Sequence, residues 1–410
     1  MNVARHSYIT HLEAAIDGSE FEPGSIQTTH RGRPLWVRYD LERIAREVDR
    51  EVLRSRPATL WRYEELLPLE TGQEIVTLGE RTTPLLPCPA LGRKLGVPRL
   101  QIKDESLLPT GSFKSRGQAL AVTMAKHFGV RRLAIPTAGN AGGAMAAYAA
   151  RAGLEAFVFM PRDTPSINRF ECLLAGAKTR LVDGLIGDCG RIVRERSEEM
   201  GWFDLSTLKE PYRLEGKKTM GLELAEQLGW HLPDVIIYPT GGGTGLIGMW
   251  KAFQELKAVG WLDSKTMPRM VAAQSDGCCP IVDAFERGER FAETHVAPAT
   301  IATGLRVPSA IGDFMILDAL HESQGRAVKV EEKRILPYMK KAVSAEGLAI
   351  CPETATCLIA AEMLATSGWI HPDEHVVIFN TGAAQKYPEV LSSDLLQLER
   401  PEDQVNGTRR

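Results

Sequence analysis

From about residue 84 onward, short apolar runs alternate with longer stretches whose apolar positions recur at near-helical spacing. Runs bounded by turn residues read as strands, and the periodic stretches between them as helices. After Pro84 one series follows the apolar-polar run 100–105: a strand over 131–136, an alanine-rich helix over 144–152, strands over 156–160 and 179–182, and a helix through 191–200. A second series runs from a helix over 219–228 through a strand at 234–239, a helix over 245–256 and a strand at 270–274, and a further strand lies at 376–380. Regular alternation of this kind predicts parallel sheets covered by helices, here as two α/β units in one chain. Residues 1–79 break the pattern. They are charge-rich with few strand signals, and Leu41, Ile44, Ala45, Val48 and Val52 predict a helix across 41–55. This segment reads as an N-terminal arm, and residues 400–410 as a disordered tail.

Composition narrows the partners. The 410 residues carry 49 Lys and Arg against 52 Asp and Glu, a formal charge of −3. There is no basic excess to release counterions from nucleic acid, and no lysine-rich amphipathic stretch to bind a membrane surface. A small molecule is the expected partner. The first residues lack the long apolar run of a leader or a membrane span, so a cytoplasmic location is expected. The 7 cysteines are scattered without a C-x-x-C pair, which fits free thiols rather than disulfides or structural zinc. His371 and His375 are four apart but flank Pro372 and lead into a strand, so they do not share a helix face, and no metal is expected.

Candidate chemistry sits in loops that follow strands, where open α/β sheets bind ligands. In Gly111-Ser112-Phe113-Lys114-Ser115-Arg116-Gly117, Lys114 stands among small residues after the run 100–105. A lysine alone is a solvated surface residue. When partly desolvated its pKa falls, and its amine then attacks an aldehyde, holds it as a Schiff base and shuttles protons, the layout of a pyridoxal 5'-phosphate enzyme. The strand at 234–239 runs into Thr240, Gly241, Gly242, Gly243, Thr244 and Gly245 and then an apolar helix. Glycines there let backbone N–H groups converge on a phosphate, helped by the helix N-terminus. An earlier loop, Thr137-Ala138-Gly139-Asn140-Ala141-Gly142-Gly143, has amides suited to a substrate carboxylate. The Asn140 amide can donate to a phenolate-like ring oxygen, or serve only as a cap or turn residue. Thr381, at the end of the last strand, offers a hydroxyl to a pyridine nitrogen without forcing that nitrogen to be protonated, or caps the next helix. A competing reading exists: Gly243-x-Gly245-x-x-Gly248 with Asp276 matches a dinucleotide fingerprint, but leaves Lys114 and the earlier loop unexplained.

Taken in order, the lysine motif, the asparagine loop, the glycine cup and the terminal threonine resemble the fold-type II enzymes that use pyridoxal phosphate, over residues 80–390. Within them the chain is most similar to the threonine synthase family, through 136–143, 183–190, 206–213, 215–219, 303–308 and 346–352. The resemblance implies two open twisted α/β domains with the active site in the cleft between them. The large domain would comprise 80–103 and 206–400 with the arm 1–79 attached, the small domain 104–205, and 401–410 a flexible tail. It implies that Lys114 forms the internal aldimine, Asn140 contacts the ring oxygen, Gly241 to Gly245 hold the cofactor phosphate and Thr381 meets the ring nitrogen. Thr137, Ala138, Gly139 and Ala141 would bind the substrate carboxylate. Lys217, Lys218 and Arg306 are the basic residues implied near a substrate phosphate, and a homodimer is implied as well. Relatives often carry a cysteine-bearing ribbon before residues 37–41; here residues 28–33 contain no cysteine.

The reaction implied converts O-phospho-L-homoserine and water to L-threonine and phosphate. The same lysine and loops serve serine or threonine dehydratases, cysteate synthase-like β-replacement and action on a phosphohomoserine analogue. Few residues follow Thr381, too few for an added effector domain of the kind regulated dehydratases carry.

Overall fold

In the computed structural model, residues 7–263 and 266–395 are described. The tail expected at 401–410 lies outside them. Two sheets dominate. The larger has six strands in the spatial order Arg326–Val330, Arg269–Ser275, Val235–Pro239, His375–Asn380, Arg99–Asp104 and Leu85–Pro87. All neighbours are parallel except the edge strand Leu85–Pro87. The smaller has four parallel strands, ordered Lys178–Val182, Glu155–Pro161, Arg132–Pro136 and Phe203–Asp204. Central strands such as Val235–Pro239 are buried along their whole length, which is why they read as unbroken apolar runs. The strand-helix alternation is therefore present, each expected element shifted by a few residues at its ends, apart from the helix over 219–228, which starts at Tyr212.

The apolar pattern predicts no helix over 114–127 and only part of a second, which begins at Tyr212. Helix Lys114–His127 packs against helices Asn140–Ala152 and Tyr212–Gln227. Helix Tyr212–Gln227 is buried around its entire circumference although it contains Arg213, Glu215, Lys217, Lys218 and Glu223. Its charges are neutralised in place. Lys218 lies 2.6 Å from Glu215 and 2.8 Å from Glu255, and Glu223 meets Arg116 at 2.9 Å and also Lys103. Arg116 in turn reaches Glu105 at 2.6 Å. Buried charges persist only when paired this closely, since each has given up its hydration. The two helices approach each other at glycines: a Cβ on Gly216 would lie 2.2 Å from the Arg116 carbonyl oxygen.

The arm differs from expectation. Ile9–Ala14, Glu20–Phe21 and Leu35–Tyr39 form a three-stranded antiparallel sheet. Leu35, Val37 and Tyr39 alternate inward with period two, a strand signal hidden between charged residues. The helix expected over 41–55 is two pieces, α-helix Leu41–Glu47 and a 3₁₀ segment Arg50–Ser55, because Val48 is extended and Asp49 starts a new turn by accepting from Glu51 N. The arm also serves both units. Leu12, Leu35, Val37 and Tyr63 join the core of the larger sheet, whereas Leu60, Leu67, Leu69 and Val76 join that of the smaller.

Candidate active site

The carboxyl ends of the strands in both sheets open on one cavity. Lys114, Asn140, Thr244, Glu353, Thr381 and Tyr387 line it, together with the 137–141 and 241–245 loops and the 303–307 turn. Lys114 is the first residue of its helix, placed by two short 3₁₀ turns after strand Arg99–Asp104. The approach is stitched down: Phe113 N donates to Thr381 O at 3.0 Å, and Ser112 bridges Gly382. The Lys114 Nζ sits 4.3 Å from the centre of the Phe113 ring. Desolvation, then the nearby Arg213 cation, bring its pKa down to about 7, against a smaller opposing pull from Glu353. At neutral pH a large fraction of this amine is therefore unprotonated and nucleophilic.

The 241–245 loop is a cradle in which glycine is required. Gly243 has φ +77°, and a Cβ there would meet Ile316 Cδ1 at 2.3 Å; one on Gly245 would meet Tyr238 Oη at 2.1 Å. Backing residues thus press the backbone toward the cavity. The first amides of helix Thr244–Ala258 have no acceptor within the helix, and its first residues line the cavity, the arrangement that binds anions at helix N-termini. A half-buried amine of lowered pKa beside a glycine loop that opens into a helix N-terminus is a donor set that fits pyridoxal phosphate.

Asn140 starts helix Asn140–Ala152; its Nδ2 donates to Tyr387 Oη at 3.2 Å, and its Oδ1 accepts from Asn168 Nδ2 at 2.9 Å. The amide is thus held at a fixed angle. The Thr137 hydroxyl is spent within its own loop, donating to Gly139 O and accepting from the Gly139 and Gly142 amides at 3.2 and 3.3 Å. Thr381 is buried, its hydroxyl 3.6 Å from Cys351 Sγ.

The three basic residues fare differently. Arg306 lines the cavity but donates to Asp163 at 2.7 Å, a clasp from the 303–307 turn to the loop after strand Glu155–Pro161. Lys217 is fully buried, donates to Phe113 O, and lies 4.2 Å from the Phe113 ring. Desolvation, with Lys114 and Arg213 adding repulsion, lowers its pKa far below the ordinary lysine value. Lys218 points away from the cavity into the Glu215–Glu255 ion cluster, because consecutive helical residues project about 100° apart. It is withdrawn as a ligand of a substrate phosphate.

Three residues near the lysine have no counterpart among the expected site residues. Arg213 shifts Lys114, Tyr387 holds Asn140, and Glu353 accepts from Gly304 N at 2.8 Å while its second oxygen is buried without a hydrogen bond. Arg213 lies inside a segment that carried the resemblance, 206–213, and Glu353 lies one residue beyond another, 346–352, so their neighbourhood was marked although their side chains were not.

The sequence model of a pyridoxal-phosphate dependent enzyme matches residues 76–382. The chain belongs to this family. Pyridoxal phosphate is accordingly its cofactor. Relatives similar to this family member include the threonine synthase of Methanocaldococcus jannaschii, 34% identical over 365 residues and 89% of each chain, and that of Methanosarcina acetivorans, 35% identical over 358 residues and 87% of each. Among solved structures, maize serine racemase superposes with a TM-score of 0.66 at 23% identity, over 77% of this chain and 92% of its own. Processed threonine deaminase isoform 2 of Solanum lycopersicum gives 0.64 at 20% identity, covering 77% and 84%. Those two share the fold: two α/β units around a cleft. Among the described residues no helix is long and apolar enough to cross a membrane.

Proposed function

We propose that this enzyme is a threonine synthase, converting O-phospho-L-homoserine and water to L-threonine and phosphate. The observation that carries it is the pairing of Lys114, an amine brought to about 7, with the glycine cradle, in a chain whose relatives across 80–89% of its length bear that name. Bound pyridoxal phosphate supplies the electron sink for the charge left when a proton leaves the substrate α-carbon. Lys114 Nζ takes that proton, and its single position beside the cavity makes it the shuttle for the later transfers to and from neighbouring carbons. Gly241, Gly242, Gly243, Thr244 and Gly245 bind the cofactor phosphate. Asn140, fixed by Tyr387 and Asn168, would hold the cofactor ring through its oxygen, and Thr381 would offer its hydroxyl to the ring nitrogen as a neutral partner. The open amides of Ala138, Asn140 and Ala141 take the substrate carboxylate, with Thr137 bracing the loop.

Departure of phosphate requires cations held in place. Arg306 remains the proposed cationic donor, on release from Asp163, which makes substrate entry and opening of that clasp one event; Lys217, buried off the cavity with its amine held on Phe113 O and its pKa lowered, is not a cation available for that step. The same reading takes residues 104–205 as a small domain, a homodimer as the working assembly and the cytoplasm as its location; sedimentation of the holoenzyme tests the dimer. The decisive experiment supplies O-phospho-L-homoserine to the holoenzyme and follows inorganic phosphate, threonine and 2-oxobutyrate together. Equal release of phosphate and threonine is expected. Activity on phosphoserine or threonine without phosphohomoserine turnover would assign the site to β-replacement or dehydration instead.

A further inference from the structure

Away from the cleft entrance, the loop that follows strand Arg269–Ser275 turns through Gly277, Cys278 and Cys279 into helix Pro280–Arg287. Cys279 is the N-cap of that helix and Asp283 lies four residues on, so both face the same side of its first turn. The chain then doubles back and brings His295 against them. Cys279 Sγ lies 3.6 Å from both Asp283 carboxylate oxygens, His295 Nδ1 lies 4.0 Å from Asp283 Oδ2, and the three ligand atoms all fall within 4.8 Å of one another. Around a tetrahedral zinc ion, with bonds of about 2.3 Å to sulfur and about 2.0–2.2 Å to nitrogen or oxygen, ligand atoms stand roughly 3.3–3.6 Å apart. The observed spacing is within a small side-chain adjustment of that.

We propose that Cys279, Asp283 and His295 form a binding site for a thiophilic divalent cation, zinc by preference, with one coordination position left to water. A thiolate, an imidazole and a carboxylate are a borderline-soft set that favours zinc over magnesium or calcium. Lys329 donates to Asp283 Oδ1 at 3.0 Å, which leaves Oδ2 toward His295 and orients the carboxylate from behind. Cys279 is buried and the other two ligands are partly open, so an ion has a way in from solvent. The site reads differently from the sequence because its members are four and twelve residues apart along an irregular loop, not arranged in a short metal motif.

The location gives the site a consequence. Gly277 passes so close to Ala299 that a Cβ would lie 1.7 Å from its carbonyl oxygen, and Ala299 N donates to Gly277 O at 2.9 Å. His295 N donates to Pro308 O at 2.9 Å, two residues beyond the Arg306 that lines the cavity. An ion at the cluster ties the start of the 277–308 segment, at Cys279 and Asp283, to its middle, at His295, and so stiffens one wall of the cleft. This holds whichever amino acid the cleft accepts.

Cobalt(II) is the probe. Added to the holoenzyme, one equivalent per chain is expected to give intense d–d bands in the red, where bound pyridoxal phosphate is transparent, and zinc is expected to displace it. Cys279→Ser, Asp283→Asn and His295→Gln should each weaken binding at least tenfold. Cys278→Ser, which changes the adjacent buried thiol and none of the three ligands, should leave the bands intact. Hydrogen exchange over 290–308 is expected to slow when zinc is added. Absence of tetrahedral cobalt bands in the wild-type holoenzyme, or bands that survive in Cys279→Ser and Asp283→Asn alike, would overturn the proposal and leave the cluster an ion pair between Lys329 and Asp283. Variants are compared only where the thermal midpoint and the cofactor absorption match the wild type, and the wild-type spectrum is decisive by itself.

Discussion

Gly216→Ala tests whether the close approach of the two central helices sets the position of the reactive amine. Its Cβ would fall 2.2 Å from the Arg116 carbonyl oxygen and 2.8 Å from Gly117 Cα, both backbone atoms that no rotamer change can move aside. Side-chain contacts below 3.0 Å are essentially never seen, so helix Lys114–His127 has to retreat by at least 0.8 Å. Overpacking of a tight core costs about 1–3 kcal/mol. The larger effect is on rate. A misplacement of about 1 Å at a reacting group lowers turnover by roughly 10²-fold, so a 10- to 100-fold fall in kcat with a smaller change in KM is expected. Arg116 moves with the helix, which also loosens its 2.6 Å contact with Glu105. Initial rates of phosphate release, with urea midpoints of the same samples, give both quantities. Gly187→Ala, in helix Ile186–Met200 where nothing lies within 4 Å of the added methyl, is the matched control. Wild-type kinetics in Gly216→Ala would refute the claim that this contact places Lys114.

Other expectations follow from the same site. Lys114→Ala should abolish turnover and remove the yellow absorption of the holoenzyme while leaving the fold intact by circular dichroism. Only the neutral amine reacts, so cofactor uptake by the apoenzyme should accelerate with pH through a midpoint near 7; Arg213→Met, which removes a cation that depresses Lys114, should move that midpoint upward. Gly243→Ala, at φ +77° and facing Ile316, should release cofactor on dialysis, measured by loss of the visible band. Glu223→Gln leaves Lys103 and Arg116 without their shared counter-charge and should cost about 3–5 kcal/mol. Arg116 and Lys103 hold the Glu223 carboxyl at about 2, overriding its burial, so its stabilisation is complete above the unfolded value near 4.5 and is lost as pH falls toward 2. The gap between wild type and variant in urea midpoint should therefore narrow in acid.

The glycine loops, Lys114, Asn140 and Thr381 were legible because backbone geometry after a strand demands particular residue types, and those demands are written locally. What escaped is long-range. Helix Tyr212–Gln227 reads as an ordinary polar helix, yet its charges are buried because their partners, Arg116, Lys103, Lys251 and Glu255, arrive from other segments. Lys218 was expected in the site for the same reason: no local rule says which of two adjacent lysines finds a carboxylate. The ribbon at 9–39 was missed because its strands are short, at six, two and five residues, and lie in a charge-rich stretch.

That ribbon also has a history in time. Tyr39 donates to Glu215, 176 residues later, and Arg33 reaches Asp313, 280 residues later. At roughly 5–20 residues per second of synthesis, the interval before Glu215 exists is about 9–35 s. Through that interval Leu12, Leu35 and Val37 have no core to enter. The ribbon is made well before the partners that secure it, and its early life depends on whatever shields an unpaired apolar ribbon on the ribosome.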